Sequence, residues 1–130
     1  MIIGIGADII DNRRIKATLK KYGEKFKNRC FTKNEIKKSE NTFLKICSYA
    51  KRFAAKEACT KALGTGFNKG IFWKDIEVVN DIYGKPSLRL HNRALSRLKS
   101  LSDSTCKIKI SLSDEKNYSI ANVIIYKDEK

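Results

Sequence analysis

Thr42-Phe43-Leu44-Lys45-Ile46-Cys47-Ser48-Tyr49-Ala50-Lys51-Arg52-Phe53-Ala54-Ala55-Lys56-Glu57-Ala58-Cys59-Thr60-Lys61-Ala62-Leu63, followed by Gly64-Thr65-Gly66, is the stretch on which the fold turns. At about 100° per residue, Phe43, Ile46, Cys47, Ala50, Phe53 and Ala54 make one apolar stripe, so the spacing predicts a long helix over 42–63. Gly64 and Gly66 stop it. Glu57 and Lys61 fall on the same stripe, and an ionised carboxylate on an inward face is costly unless it is paired or metal-bound. An i,i+4 Glu–Lys ion pair near the helix end is the plainer account. Arg52 points to the other side, so either it is a surface residue or that face is covered as well.

Outward from this helix the pattern changes character. Upstream, Ile3, Ile5, Ala7 and Ile9 alternate with Gly4, Gly6 and Asp8, as in a strand whose second side is small residues and one carboxylate. The glycines are expected to leave open volume beside Asp8, where two carboxylates, Asp8 and Glu57, suit a hard divalent cation such as Mg²⁺. The alternative role for Asp8 is a cap or turn before the first helix. Asp11 can cap a basic helix running to about Tyr22, and Thr32-Lys33-Asn34-Glu35 has capping-box spacing.

Downstream, 75–80 and 87–90 read as strands around the turn Ile82-Tyr83-Gly84-Lys85-Pro86, 91–101 as a helix, and 106–112 with 118–126 as a hairpin. The mixture lacks regular βαβ alternation, so the expected class is α+β: one domain over 1–130, with a long central helix on a small, mostly antiparallel sheet. Lys61-Ala62-Leu63-Gly64-Thr65-Gly66 offers a cation, pliant backbone and a hydroxyl for a phosphate, although Gly-x-Gly after a helix is commonly only a C-cap. Gly4-Ile5-Gly6 lacks the third glycine of a dinucleotide fingerprint.

Charge narrows the partners. Lys+Arg number 28 against 14 Asp+Glu, and 16 of those cations with only 5 of the acids lie between Asp11 and Lys61. An anionic substrate or partner is expected, with a solvated lysine surface as the plainer alternative. The apolar runs fall short of the roughly 20 residues of a membrane span. Nothing resembles a cleaved leader, so the chain is expected to start at Met1, to be cytoplasmic, and to keep Cys30, Cys47, Cys59 and Cys106 as free thiols. Those cysteines and the single His91 are too scattered for zinc. An RNA-binding module is the rival suggested by charge, but few aromatics interleave with the cations and no module signature is present.

Several separated segments, Gly4-Ile5-Gly6-Ala7-Asp8-Ile9-Ile10, Arg52-Phe53-Ala54-Ala55-Lys56-Glu57-Ala58-Cys59-Thr60-Lys61-Ala62-Leu63-Gly64-Thr65-Gly66, Asp75-Ile76-Glu77-Val78, Gly84-Lys85-Pro86 and Ser111-Leu112-Ser113-Asp114, resemble the holo-acyl-carrier-protein synthases, small phosphopantetheinyl transferases. The resemblance implies transfer of 4'-phosphopantetheine from coenzyme A to a serine of apo-acyl carrier protein in fatty acid biosynthesis. By that pattern Asp8 and Glu57 hold Mg²⁺ (or Mn²⁺), and Glu57, or a metal-bound water beside it, is the base. Lys61 neutralises phosphate charge. Arg52, Gly64, Thr65, Gly84, Lys85 and Pro86 match segments bordering the coenzyme A groove, and Ser113 and Asp114 match the edge of its adenosine-phosphate end. One common form of the family has a histidine where this chain has Asp114, which is expected to orient a cation such as Arg52 or else to begin the turn through Glu115-Lys116-Asn117. Arg13 and Arg14 match the helix that meets the acidic carrier protein. The resemblance further implies a homotrimer with coenzyme A between subunits, bringing Asp8 and Glu57 of different chains into one site, and neither nucleic acid nor membrane as a partner.

Overall fold

The computed structural model describes residues 1–128. Strand β1 (Ile2–Asp11) leads directly into helix α1 (Asn12–Tyr22), because the Asp11 side chain accepts the Arg13 N–H as N-cap. Helices α2 (Glu24–Cys30) and α3 (Lys33–Glu40) precede the long α4 (Lys45–Leu63). A 3₁₀ turn at Trp73–Asp75 opens the hairpin β2 (Ile76–Asn80) and β3 (Pro86–Leu90), then come α5 (Asn92–Ser100) and the hairpin β4 (Cys106–Asp114) with β5 (Tyr118–Lys127). The three-stranded sheet has order β1-β5-β4, and every strand pair among the described residues is antiparallel.

The capping box at α3 forms as expected: Thr32 Oγ1 accepts the Glu35 N–H while Glu35 Oε1 accepts the Thr32 N–H. The box continues inward. Fully buried Glu35 also takes Lys56 Nζ at 2.7 Å on Oε1 and the Val78 N–H at 3.1 Å on Oε2. Lys56 Nζ donates besides to the carbonyls of Trp73 and Ile76. Burial pulls the Lys56 ammonium below the ordinary lysine range, opposed by Glu35. One buried ion pair, with every donor and acceptor engaged, thus ties α3, α4 and β2 together.

Three expectations change. Helix α4 begins at Lys45, so Phe43, 99% exposed, is not part of a core stripe. The fully buried charge on α4 is Lys56, whereas Glu57 is only half-buried, because α4 is covered on several sides and no single face is inward. Nor do Gly4 and Gly6 leave open volume. A Cβ on Gly4 would lie 2.2 Å from the Ala62 carbonyl oxygen and one on Gly6 would lie 1.9 Å from that of Ala58, so the backbone of α4 rests directly on β1. The opposite side of the strand is outward, with Ile5 70% and Ile9 61% exposed. All four cysteines are free.

Candidate active site

The close seating of α4 on β1 sets the first cluster. Asp8, two residues past Gly6, meets the last turns of α4, where Lys61 Nζ donates to the Ala7 carbonyl at 2.9 Å and pairs with Asp8 Oδ1 at 3.3 Å. Burial raises the Glu57 carboxyl above its ordinary range, and the neighbouring charge of Asp8 adds to the rise; Lys61 and Arg14 oppose it. Asp8 and Glu57 of one chain therefore lie near enough for their charges to interact. Two hard oxygen donors of like charge, with a lysine beside them, form a set suited to a divalent cation and phosphate oxygens.

A second cluster lies elsewhere on the molecule. A groove of about 520 Å³ is lined by Lys38, Lys51, Arg52, Asn80, Pro86 and Asp114, with Gly84 also on its wall. Arg52 is 5% exposed, donating from Nε to Ser39 Oγ at 3.3 Å and from Nη2 to Asn80 Oδ1 at 3.0 Å. Both faces of α4 are thus occupied, which decides the question that helical spacing left open. Asn80 is itself fixed by donating from Nδ2 to the Gly84 carbonyl at 3.1 Å.

The predicted ligand residues divide between these places and others. Arg52, Gly84, Pro86 and Asp114 share the groove, as does none of Asp8, Glu57, Lys61, Gly64 or Thr65. Asp114 does not orient Arg52. It accepts Lys51 Nζ at 2.9 Å, because Ser39 and Asn80 already hold the arginine. Gly64, left-handed at φ +77°, and Thr65 close α4: the Gly64 N–H bonds back to Lys61 and Thr60, and the Thr65 hydroxyl donates to the Gly66 carbonyl. Lys85 borders a separate small cleft with Pro86 and Ile108, and its N–H donates to Asp81 Oδ1. Ser113 lies on the outer face of β4, opposite Ile120, because successive strand residues alternate faces. Arg13 is clasped by Asp11 at 2.7 Å, whereas Arg14 lies near enough to Glu57 to favour its ionised form. Lys38, Ser39, Lys51 and Asn80 escape sequence reasoning, since they converge from α3, α4 and β2 only on folding.

Residues 4–123 match the 4'-phosphopantetheinyl transferase superfamily. The chain belongs to this family. A relative in Rhizobium meliloti (strain 1021), a holo-[acyl-carrier-protein] synthase, is 50% identical over 125 residues, spanning 96% of this chain and 90% of that protein. The crystal structure of holo-[acyl-carrier-protein] synthase from Neisseria meningitidis superposes with a TM-score of 0.85 at 35% identity, covering 98% of this chain and all of the other. The Helicobacter pylori synthase, solved in complex with coenzyme A, superposes at 0.81 with 29% identity over 94% of this chain and 99% of its own. The long α4 and antiparallel sheet of this transferase are therefore the family's α+β fold, and Asp8, Glu57 and Lys61 stand on the elements that build it.

Proposed function

We propose that this transferase moves 4'-phosphopantetheine from coenzyme A to a serine of apo-acyl carrier protein and releases adenosine 3',5'-bisphosphate. The observation that carries the reading is the convergence of Asp8, Glu57 and Lys61 at the β1–α4 contact of a chain in this family. The serine oxygen attacks the pantetheine-side phosphorus, the phosphorus–oxygen bond to the nucleotide phosphate breaks, and the hydroxyl proton passes to Glu57. A half-buried carboxylate with a raised affinity for protons is suited to that acceptance. Lys61 offsets Asp8 and anionic phosphate oxygens.

Asp8 and Glu57 would hold Mg²⁺ or Mn²⁺. Among the described residues no group of three or more His, Cys, Asp or Glu side chains could hold a metal, so the pair would share the ion with substrate phosphates and water, as Mg²⁺ favours. When bound, the ion supplies Lewis-acid stabilisation of charge on the leaving phosphate.

Coenzyme A would reach the Arg52 groove as well. Because that groove holds none of the Asp8 cluster, a second copy of the chain seated on the outer sheet would complete a substrate path. Ile5, Ile9, Ile120 and Ile124 give that face the apolar character an assembly needs, which supports a homotrimer. The acidic carrier would meet Arg13 and Arg14, in the cytoplasm, during fatty acid biosynthesis. Among the described residues no helix is long and apolar enough to cross a membrane. Intact mass spectrometry of apo-carrier protein incubated with enzyme, coenzyme A and Mg²⁺ tests the reading: the added phosphopantetheine mass is expected, and an unmodified carrier refutes it.

A further inference from the structure

Helix α1 is held by few of its residues. Of its eleven, only Asn12 and Ile15 are buried, with Leu19 packed part-way against the core. These anchors differ in kind. Ile15 and Leu19 are held by apolar contact, which has no preferred direction and tolerates rotation of the helix about its axis. Asn12, 4% exposed, is held by bonds that do have direction. Its Nδ2 shares two hydrogens among the Glu115 carbonyl at 3.1 Å, the Lys116 carbonyl at 3.4 Å and Cys47 Sγ at 3.7 Å, while its Oδ1 accepts the hydroxyl of fully buried Ser119 at 2.7 Å. The Asn12 N–H also donates to the Asn117 carbonyl at 2.7 Å.

These bonds join the start of α1 to the β4–β5 turn and to α4. The turn does not depend on them for its own shape: Asp114 pairs with Ser119 in the ladder, and the Glu115 N–H donates to the Tyr118 carbonyl at 2.8 Å. On the outer side Arg13 lies over the Tyr118 ring, 5.9 Å from its centre. A hairpin that closes by itself is a fixed abutment, and Asn12 is the side chain by which α1 leans on it. The place calls for an amide. Two carbonyls can only accept, so a donor has to face them, and the buried Ser119 hydroxyl needs an acceptor on the same group.

We infer that Asn12 is a positioning residue for the acceptor protein: it sets the angle at which α1 leaves β1, and with it the placement of Arg14, two residues on, toward the carrier. The inference rests on the reading that α1 meets the acidic carrier. Arg14 is exposed and its charge reaches Glu57, so the turn of α1 that follows Asn12 stands between the docked partner and the reacting centre. With Asn12 in place α1 keeps one orientation. Without it the orientation that docks the carrier becomes one of several, and the apparent affinity falls by the fraction of molecules that hold it. That loss belongs to KM for the carrier. At saturating carrier kcat is kept, because a bound carrier selects the competent orientation.

The test reads KM and kcat by carrier-protein mass, with apo-acyl carrier protein and coenzyme A varied in turn, for the wild type, Asn12→Leu, Asn12→Asp, Ser119→Ala and the double variant Asn12→Leu/Ser119→Ala. Asn12→Leu keeps the branched shape and removes every side-chain bond, whereas Asn12→Asp keeps the acceptor for Ser119 but turns an oxygen toward the two carbonyls. Both should raise KM for the carrier about 10-fold, the scale of one buried polar network lost, while kcat and KM for coenzyme A stay within about 2-fold of wild type. Ser119→Ala should raise the carrier KM by a smaller factor and add little once Asn12 is Leu. Hydrogen exchange read by mass spectrometry should quicken over 12–22 and stay as in the wild type over α4. A carrier KM unchanged in both Asn12 variants, with only a lower unfolding midpoint, overturns the positioning role, as does a rise of both KM values together. Should Asn12→Leu fail to fold, Ser119→Ala carries the same comparison with one bond removed. An Arg14→Glu protein with an unchanged carrier KM is a separate result, which overturns the docking reading itself.

Discussion

Gly6→Ala is the sharpest perturbation of the contact that builds the site. The added methyl would lie 1.9 Å from the Ala58 carbonyl oxygen and 2.8 Å from the Ala62 nitrogen. Ordinary carbon–oxygen contacts are about 3.3 Å or more, so β1 and α4 have to separate by roughly 1.4 Å. Neither can yield cheaply. Strand β1 is held by its pairing with β5, with Gly6 opposite Val123, and α4 is packed against α1, α3 and β2 as well as the sheet. Overpacking of this kind costs about 1–3 kcal/mol, which lowers the midpoint of thermal unfolding by roughly 4–12 °C for a domain of this size. Because Asp8 follows Gly6 by two residues and Glu57 precedes Ala58 by one, a shift of about 1 Å there should lower kcat/KM about 100-fold. Thermal unfolding by circular dichroism and carrier modification by mass spectrometry read the two effects. Ala58→Gly should not rescue either, since the obstacle is the helix backbone. A Gly6→Ala protein that melts within about 2 °C of wild type and retains most of its turnover would refute the direct-seating argument.

Other perturbations reach separate parts of the structure. Glu57→Gln should abolish transfer while leaving unfolding by circular dichroism unchanged within about 1 kcal/mol, and chelation of divalent ions should stop the wild type. Charge reversal at Arg14 should raise KM for carrier protein in steady-state assays and weaken its dependence on salt; reversal at Arg13 should do less, because Asp11 already clasps that side chain. Glu40, held down to about 2 by Tyr49 first and then by Lys45 and Lys27, has a depressed folded pKa. Its contribution is present above its unfolded value near 4.5 and is lost as pH falls toward 2, so Glu40→Gln should remove about 1 kcal/mol of stability at pH 7 after solvent screening, and less at pH 3, in urea titrations. Lys56→Met should destabilise by about 3–5 kcal/mol through the buried carboxylate it leaves at Glu35, and Lys56→Met/Glu35→Leu should recover part of that loss in the same titrations.

Local chemistry was the readable part of this sequence. The Asp11 cap, the Thr32–Glu35 box, the two hairpins and the glycine stop after Leu63 each depend on residues close in the chain, and each appears in the structure. Helix α2 carries no such local signal, because its N-cap, Gly23, offers no side-chain bond. The helical stripe is an incomplete guide because a central helix has several buried sides, so Ala58 and Ala62 of α4 against β1 and Lys56 against Glu35 are all interior positions. Asp8, Glu57 and Lys61 were legible as chemistry, and Arg52, Gly84, Pro86 and Asp114 as fragments of a family pattern. What spacing could not reveal is which cation Asp114 meets: Lys51 and Arg52 are adjacent in sequence, and only the positions of Ser39 and Asn80 decide between them.

The ion pair of Lys56 also divides the lysines of α4 by reactivity. Lys56 and Lys61 are five residues apart, yet the first is sealed between a carboxylate and two carbonyls, whereas the second has a side chain 54% exposed. Amine-directed acylation of the folded protein would mark Lys61, erasing the charge beside Asp8, and would pass over Lys56 until the chain opened. Under the role proposed for Lys61, the same reagent should stop transfer without unfolding the protein, while the labelling of Lys56 keeps a record of unfolding.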